Sequence, residues 1–316
     1  MTSPVRDDTV ADLEIVYRLA VPKAVRGITT IALFCLNLIT RGSRVMLVGL
    51  LKLVTRGSWR RHVILYLAKL GDRWVDGNDA IVDRMLTTKV DVEGLDRINL
   101  RRDGHYLIVS NHVSWIDIVV LFRVFHLRTA FLRFFMKRQL IWFPIVGQGC
   151  AALEFPFMHR YSADYLARHP EKRGKDLETT RRLCQRYRTI PVAILNFLEG
   201  TRFTREKQAD QDSPYRHLLR PRIGALSFVF ASLGDQLDAV IDVTIRYPDD
   251  DVTLWDYVTD SISRITVHVR KIDVPAEFYS DAVTESGPVR DRFKEWVDAL
   301  WAEKDAALDR LPVPTR

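Results

Sequence analysis

The segment Asn111-His112-Val113-Ser114-Trp115-Ile116-Asp117 sets an imidazole five residues before a carboxylate. Neutral imidazole can take the proton of an attacking hydroxyl, while a carboxylate on its other nitrogen fixes the tautomer and stabilises the imidazolium that forms. Such a pair needs no protein nucleophile. The chain contains no Gly-x-Ser-x-Gly elbow, which argues against a serine esterase. Ser114 reads as a helix cap rather than as a nucleophile.

Spacing alone decides nothing. His159 precedes Asp164 and His268 precedes Asp273 by the same interval, so three of the 8 histidines satisfy it. Context separates them. His268 lies inside a strand-like run, where Asp273 would stand well along the extended chain. His112 follows the strand-like run 105–110 (HYLIVS) and precedes a helical stretch that Ser114 can cap, with Asp117 at the third helical position. Helical side chains lean toward the N-terminus, so the Asp117 carboxylate can reach back toward His112. The same Ser-x-x-Asp spacing also suits a plain capping pair in which Asp117 bonds backbone amides, and the segment by itself leaves both readings open.

The elements that must position these residues follow an alternating pattern. Strand-like runs are expected at 90–93, 105–110, 130–135, 151–154, 191–197, 239–247 and 264–271, with helices at 115–124, 172–188, 224–233 and 288–311. Alternation of this kind implies an α/β fold with a mixed, largely parallel sheet flanked by helices. In such sheets the chemistry lies beyond the carboxyl ends of the strands. The expected organisation is a tail and lead-in over 1–26, a membrane-associated helical segment over 27–70 and one domain over 89–311.

The N-terminal segment rests on charge. Residues 28–40 (ITTIALFCLNLIT) carry none, and 45–51 (VMLVGLL) are apolar again after Arg41-Gly42-Ser43-Arg44. Neither run alone reaches the ~20 apolar residues of a spanning helix. Acidic residues stop at Glu14 and return at Asp72, while Lys52, Arg56, Arg60 and Arg61 crowd the downstream side. That basic flank fits the cytoplasmic face of a membrane, and a pair of embedded helices, or one helix extended by its neighbour, is expected over an ordinary buried hairpin. The apolar run starts late and no small-residue cleavage site follows, so a removable signal peptide is not expected.

The formal charge of +7, from 47 basic and 40 acidic residues, suits anionic lipid, nucleic acid or a phosphorylated substrate without choosing among them. The three cysteines, Cys35, Cys150 and Cys184, are scattered and unpaired in sequence, which points to a reducing compartment and buried structural thiols rather than a disulfide framework or a zinc site. The basic stretch 168–188 includes Glu171, Asp176 and Glu178 and reads as a solvated helix face. It lacks the aromatic interleaving of a nucleic-acid platform. Phe293, Trp296, Leu300 and Trp301 recur at helical spacing and read as core.

A second element, Phe197-Leu198-Glu199-Gly200-Thr201-Arg202, again follows a strand directly. Together with Asn-His-x-Ser-x-x-Asp about ninety residues upstream, it resembles the PlsC-type glycerophospholipid acyltransferases. Within them it is similar to the branch holding the bacterial YihG-like and the eukaryotic lysophosphatidate and lysocardiolipin acyltransferases. The likeness runs from about Asp91 to the end of the chain. It includes Met136-Lys137-Arg138-Gln139-Leu140 leading to Pro144, Phe155 to Arg160, and Phe203-Thr204. Two departures stand out: Leu198 replaces the proline common before the Glu-Gly-Thr-Arg block, and the strand Ala239 to Thr244 lacks a proline.

The resemblance implies an enzyme moving a fatty acyl group from acyl-CoA or acyl carrier protein to the sn-2 hydroxyl of 1-acyl-glycerol-3-phosphate or a related lysophospholipid. His112 would be the general base and Asp117 its orienter. Lys137, Arg160 and Arg202 would bind phosphate, and Glu199, Gly200 and Thr201 would shape the acceptor site. A guanidinium grips phosphate in a bidentate fork and an ammonium adds a point charge, while Glu199 suits a bracing role toward Arg202 or a backbone amide. No metal, permanently bound cofactor or nucleic-acid partner is expected; the expected location is the bacterial inner membrane with the catalytic domain facing the cytoplasm. The competing expectations are remodelling of another lysophospholipid, such as a lysocardiolipin, or a basic membrane-associated binding protein with an idle site.

Overall fold

The computed structural model describes residues 21–158, 168–169 and 182–314. Eight strands lie among these residues: β1 (Lys89–Glu93), β2 (His105–Ser110), β3 (Leu132–Phe134), β4 (Met136–Lys137), β5 (Phe157–Met158), β6 (Val192–Phe197), β7 (Ala239–Arg246) and β8 (Arg264–Ile272). Six of them form one sheet in the order β1-β8-β7-β2-β6-β3, and β4 and β5 pair separately. Every pairing in the large sheet is parallel except β7 with β8. The expected mixed, largely parallel sheet is therefore present.

The central strands are apolar on both faces, as strands covered by helices on each side must be. Tyr106 and Ile108 of β2 and Ala193 and Leu195 of β6 face one core, with the helices Gly57–Met85 and Ile116–Phe125. Leu107 and Val109, with Val192 and Ile194, face the other, with the helices Ile223–Leu233 and Pro288–Arg310. Phe293, Leu300 and Trp301 are fully or nearly fully buried in that second core, as their spacing predicts.

One expected strand is corrected. Residues 151–154 are not a strand: the helix Val146–Ala152 runs into them, and the chain then turns through Glu154 at a φ of 63°. Its carboxylate is buried in ion pairs with Lys52 and Arg186, and this pull on a short apolar stretch overrides its β-like composition. The basic stretch 172–188 is described only from residue 182, and 182–187 are helical.

The N-terminal helix is longer than either apolar run suggests. Lys23–Asn37, a π-turn over Leu38–Gly42, Ser43–Gly49 and Leu51–Val54 follow one another as one helix of 32 residues, Lys23–Val54, long and apolar enough to cross a membrane. At 1.5 Å per residue it extends about 48 Å. The π-turn passes Gly42 close to Ile145, whose Cγ2 would lie 2.8 Å from a Cβ at that position. One side of the helix is tied to the rest of the protein along its length. Arg26 pairs with Asp260 at 2.9 Å, and Asn37 donates to the Trp74 carbonyl at 2.9 Å. Lys52 donates to the Ala152 carbonyl at 2.9 Å and pairs with Glu154. The other side presents Ile28, Leu36, Ile39, Leu47, Leu50, Leu53 and Val54, all exposed.

Candidate active site

Three neighbouring strands deliver the site. β2 is hydrogen-bonded to β6 on one side and β7 on the other, with Ser110 opposite Phe197 and opposite Val243. All three run in one direction, so the chain leaving β2 at Asn111, leaving β6 at Leu198 and leaving β7 at Tyr247 emerges at one edge. That edge is the carboxyl end, where an open parallel sheet leaves room for a ligand.

Asn111 makes the first step off the sheet. Its side-chain amide donates to the Ile245 carbonyl and accepts from the Ile245 N–H, both at 2.9 Å. A side chain thus continues the β2–β7 ladder for one more rung, and the backbone can turn away without leaving Ile245 unpaired. His112 comes next. Its Nδ1 lies 2.7 Å from Asp117 Oδ2, and a buried carboxylate beside it assigns the proton to Nδ1 and leaves Nε2 as the basic nitrogen. The imidazole stacks on Phe197, with ring centroids 4.0 Å apart and planes at 16°.

Asp117 makes both kinds of contact that its spacing allows, to the imidazole and to backbone amides. Oδ2 also accepts the amides of Val113 at 2.8 Å and Ser114 at 3.0 Å, and Oδ1 accepts the Tyr247 hydroxyl at 2.7 Å. It stands second rather than third in its helix, which starts at Ile116, and the Ser114 hydroxyl makes no cap; the Asp117 carboxylate instead reaches back to the amides that precede the helix. Burial, and the Asp117 charge next to it, push the Tyr247 phenol well above its ordinary range, so its O–H stays a donor. Tyr247 had no signal in the sequence: it is 130 residues from Asp117, and only strand pairing brings them together.

The second motif folds against the first. Phe203 N–H donates to the His112 carbonyl at 2.7 Å. Glu199, fully buried, accepts the His112 N–H at 2.9 Å through Oε1 and the Leu219 N–H at 3.1 Å through Oε2. Of the two bracing partners expected for it, the amide is the one observed; Arg202 points elsewhere, with its guanidinium 4.6 Å above the Trp115 ring. Gly200 has a φ of 67°, the left-handed region that side chains resist, and a Cβ there would meet Arg222 Cδ at 3.0 Å.

The expected site residues therefore separate into groups. His112, Asp117, Glu199, Gly200, Thr201 and Arg202 share one edge. Lys137 stands exposed on β4, in the small separate sheet, with no hydrogen bond or ion pair to that group. Arg160 lies outside the described residues. The cysteines stand apart from the site: Cys184 is buried, Cys150 partly buried, and Cys35 exposed, contrary to the expected burial of all three. Burial pushes the Cys150 and Cys184 thiols up to about 12, so neither offers a thiolate near neutral pH.

Glu199 gives a test of this framework that needs no substrate. Burial pushes its carboxyl up to about 8, against the pull of the two amides. An acid whose folded value exceeds its unfolded one holds a proton in the native state that the unfolded chain has released. Its contribution to stability is complete below about pH 4.5 and declines as pH rises toward 8. Glu199→Gln sets an NH2 group against one of the two N–H donors, at a cost of about 1–3 kcal/mol. Urea unfolding at pH 5 and pH 8 should show the wild type losing more stability across that interval than the variant; equal losses would remove Glu199 as the cause.

Comparison with known proteins agrees with this architecture. Residues 89–247 match the family model described as Acyltransferase. The chain is 27% identical over 260 residues to lysocardiolipin acyltransferase 1 of Danio rerio, an alignment covering 77% of this chain and 61% of that protein. It is 26% identical over 238 residues to 1-acyl-sn-glycerol-3-phosphate acyltransferase 3 of Arabidopsis thaliana, covering 70% and 56%. The chain thus spans little more than half the length of these curated relatives. Its fold is similar to the crystal structure of PlsC from Thermotoga maritima, with a TM-score of 0.50 and 15% identity over 91% of this chain and 99% of that one.

Proposed function

The chain belongs to the acyltransferase family, and from that membership we propose that it transfers a fatty acyl group from a thioester to the sn-2 hydroxyl of a 1-acyl-glycerol-3-phosphate or related lysophospholipid. The observation that carries this reading is the His112–Asp117 pair at 2.7 Å, which leaves Nε2 with no protein partner among the described residues.

In the proposed reaction Nε2 of His112 takes the proton of the acceptor hydroxyl as its oxygen attacks the thioester carbonyl. The tetrahedral adduct collapses with loss of the C–S bond, and the departing thiolate recovers the proton from the imidazolium. The products are an ester and a free thiol. Asp117 keeps the proton on Nδ1 and balances the imidazolium charge. Arg202, with Lys137 and Arg160 as further candidates, holds the acceptor phosphate, while Glu199, Gly200 and Thr201 fix the turn beside it. Acyl-CoA or acyl carrier protein supplies the acyl group.

The long helix supports a location at a membrane. A helix joined to the α/β domain near both ends and in its middle cannot stand across a bilayer apart from that domain. Its exposed apolar side is better suited to lie in one leaflet, where the acyl chains of the acceptor already reside. We place the enzyme on the cytoplasmic face of the bacterial inner membrane on the strength of the basic flank after Val54.

The test is transfer of a labelled acyl group in detergent micelles, with acyl-CoA and acyl carrier protein as donors and lysophosphatidate and lysocardiolipin as competing acceptors. Product from lysophosphatidate in preference supports the biosynthetic role, and preference for lysocardiolipin makes the enzyme a remodelling one. Absence of product from every pairing would overturn the proposal. Tyr247→Phe should lower kcat about tenfold, the lower part of what one hydrogen bond to a charged group contributes, with KM for the acceptor nearly unchanged.

A further inference from the structure

Trp115 has no part in either core. Its side chain is 53% exposed, although it sits at the N-terminal boundary of the helix Ile116–Phe125, three residues from His112. The Arg202 guanidinium lies 4.6 Å from its ring centroid. Lys207, in the helix Arg205–Asp210, holds the same arginine by its backbone. Lys207 Nζ donates to the Arg202 carbonyl at 2.9 Å and to the Thr201 hydroxyl at 3.1 Å. The Thr204 hydroxyl accepts the Lys207 N–H at 3.2 Å, which fixes where that side chain starts.

An exposed arginine ordinarily samples many rotamers, and each hydrogen bond it makes to a ligand must first stop that motion. A guanidinium lying over an indole has one face covered by the ring and keeps its N–H groups, which lie in its own plane, available for a bidentate anion. An ammonium has three donors. With two engaged on Thr201 and Arg202, the Lys207 ammonium ties the backbone of Arg202 to the turn that carries it.

We propose that Trp115 and Lys207 are positioning residues of the acceptor site, presetting Arg202 from its head and from its backbone to grip the lysophospholipid phosphate beside His112. This rests on the proposed acyl transfer and adds two residues to it. Neither residue touches the reacting atoms, so the effect belongs in acceptor binding rather than in the chemical step.

The experiment is steady-state kinetics with lysophosphatidate and acyl-CoA for the wild type, Trp115→Leu, Trp115→Phe and Lys207→Met, with thermal unfolding as a control on folding. Trp115→Leu should raise KM for lysophosphatidate roughly two- to fivefold, the range of an exposed cation–π contact. In that variant kcat should stay within about twofold and KM for acyl-CoA should not move. Trp115→Phe should recover most of the loss, and Lys207→Met should raise the same KM. In an Arg202→Gln background, Trp115→Leu should add little, because both changes remove one interaction. An unchanged acceptor KM, a fall in kcat alone, or a full additional loss in the Arg202→Gln background would overturn the inference while leaving acyl transfer intact. A wild type that acylates no lysophospholipid would overturn both.

Discussion

His112→Ala is expected to lower kcat for acyl transfer by about 10³–10⁴, the magnitude associated with loss of a general base from an oriented pair. The surroundings make this a clean substitution. Asp117 keeps the Val113 and Ser114 amides and the Tyr247 hydroxyl, so its buried charge is not orphaned when the imidazole goes. The His112 backbone still donates to Glu199 and accepts from Phe203. What the fold loses is the stack on Phe197, worth about 0.5–1.5 kcal/mol, and the hydrogen bond to Asp117, worth about 1.5–3 kcal/mol. Folded, inactive protein is therefore the expected outcome, read from the labelled-acyl assay alongside circular dichroism. Full activity in the variant would show that His112 is not the base. Asp117→Asn would be a poorer choice, because an amide NH2 would face donors that now converge on a carboxylate, and inactivity could then reflect a disordered loop.

Asp242→Asn should cost about 3–5 kcal/mol in stability, the usual penalty for stranding one member of a buried ion pair. Asp242 lies on β7 opposite Val109 of the central strand and Arg270 of β8. Its Oδ1 is 2.6 Å from Lys304 Nζ, with both side chains essentially inaccessible to water. Lys304 enters from the long C-terminal helix and also donates to the Val243 carbonyl and the Thr244 hydroxyl, which can keep it hydrogen-bonded but not neutralised. The reverse change, Lys304→Met, should cost less, because Asp242 retains Arg270 at 2.9 Å on its other oxygen. The double variant should be more stable than the sum of the two single losses predicts. Urea unfolding of the four proteins measures this directly, and strict additivity would show that the two charges do not support one another.

The parts of this molecule that could be read from the sequence are those whose causes are local. β2, β6, β7 and β8 announce themselves as runs of branched and aromatic residues between turn-forming ones, and each was placed within a residue or two. The His112–Asp117 contact was legible because both groups sit within one strand-to-helix turn. The partners that complete the site are not local in that sense. Tyr247 reaches Asp117, and the Ile245 backbone reaches the Asn111 side chain, only because β7 lies beside β2, and nothing in either segment states that adjacency. Residues 151–154 failed for a related reason: an apolar tetrapeptide reads as a strand, and its capture by Lys52 and Arg186 depends on cations far away in the chain. For the N-terminal segment the sequence leaves a pair of helices and one extended helix both open, because Arg41 and Arg44 interrupt its apolar character; hydrogen bonding continues past them, through the π-turn and the helix after it, as one helix.

That helix has a kinetic meaning. Held at Arg26, Asn37 and Lys52, it moves with the α/β domain, so any surface its apolar side enters also holds that domain. Seated in one leaflet as proposed, the enzyme would meet a lipid acceptor by lateral diffusion, in two dimensions, rather than collect it from solution. The effective acceptor concentration would then be the mole fraction of lysolipid in the surface, and diluting that surface with inert phospholipid should slow the reaction even when the bulk amounts of enzyme and acceptor are unchanged.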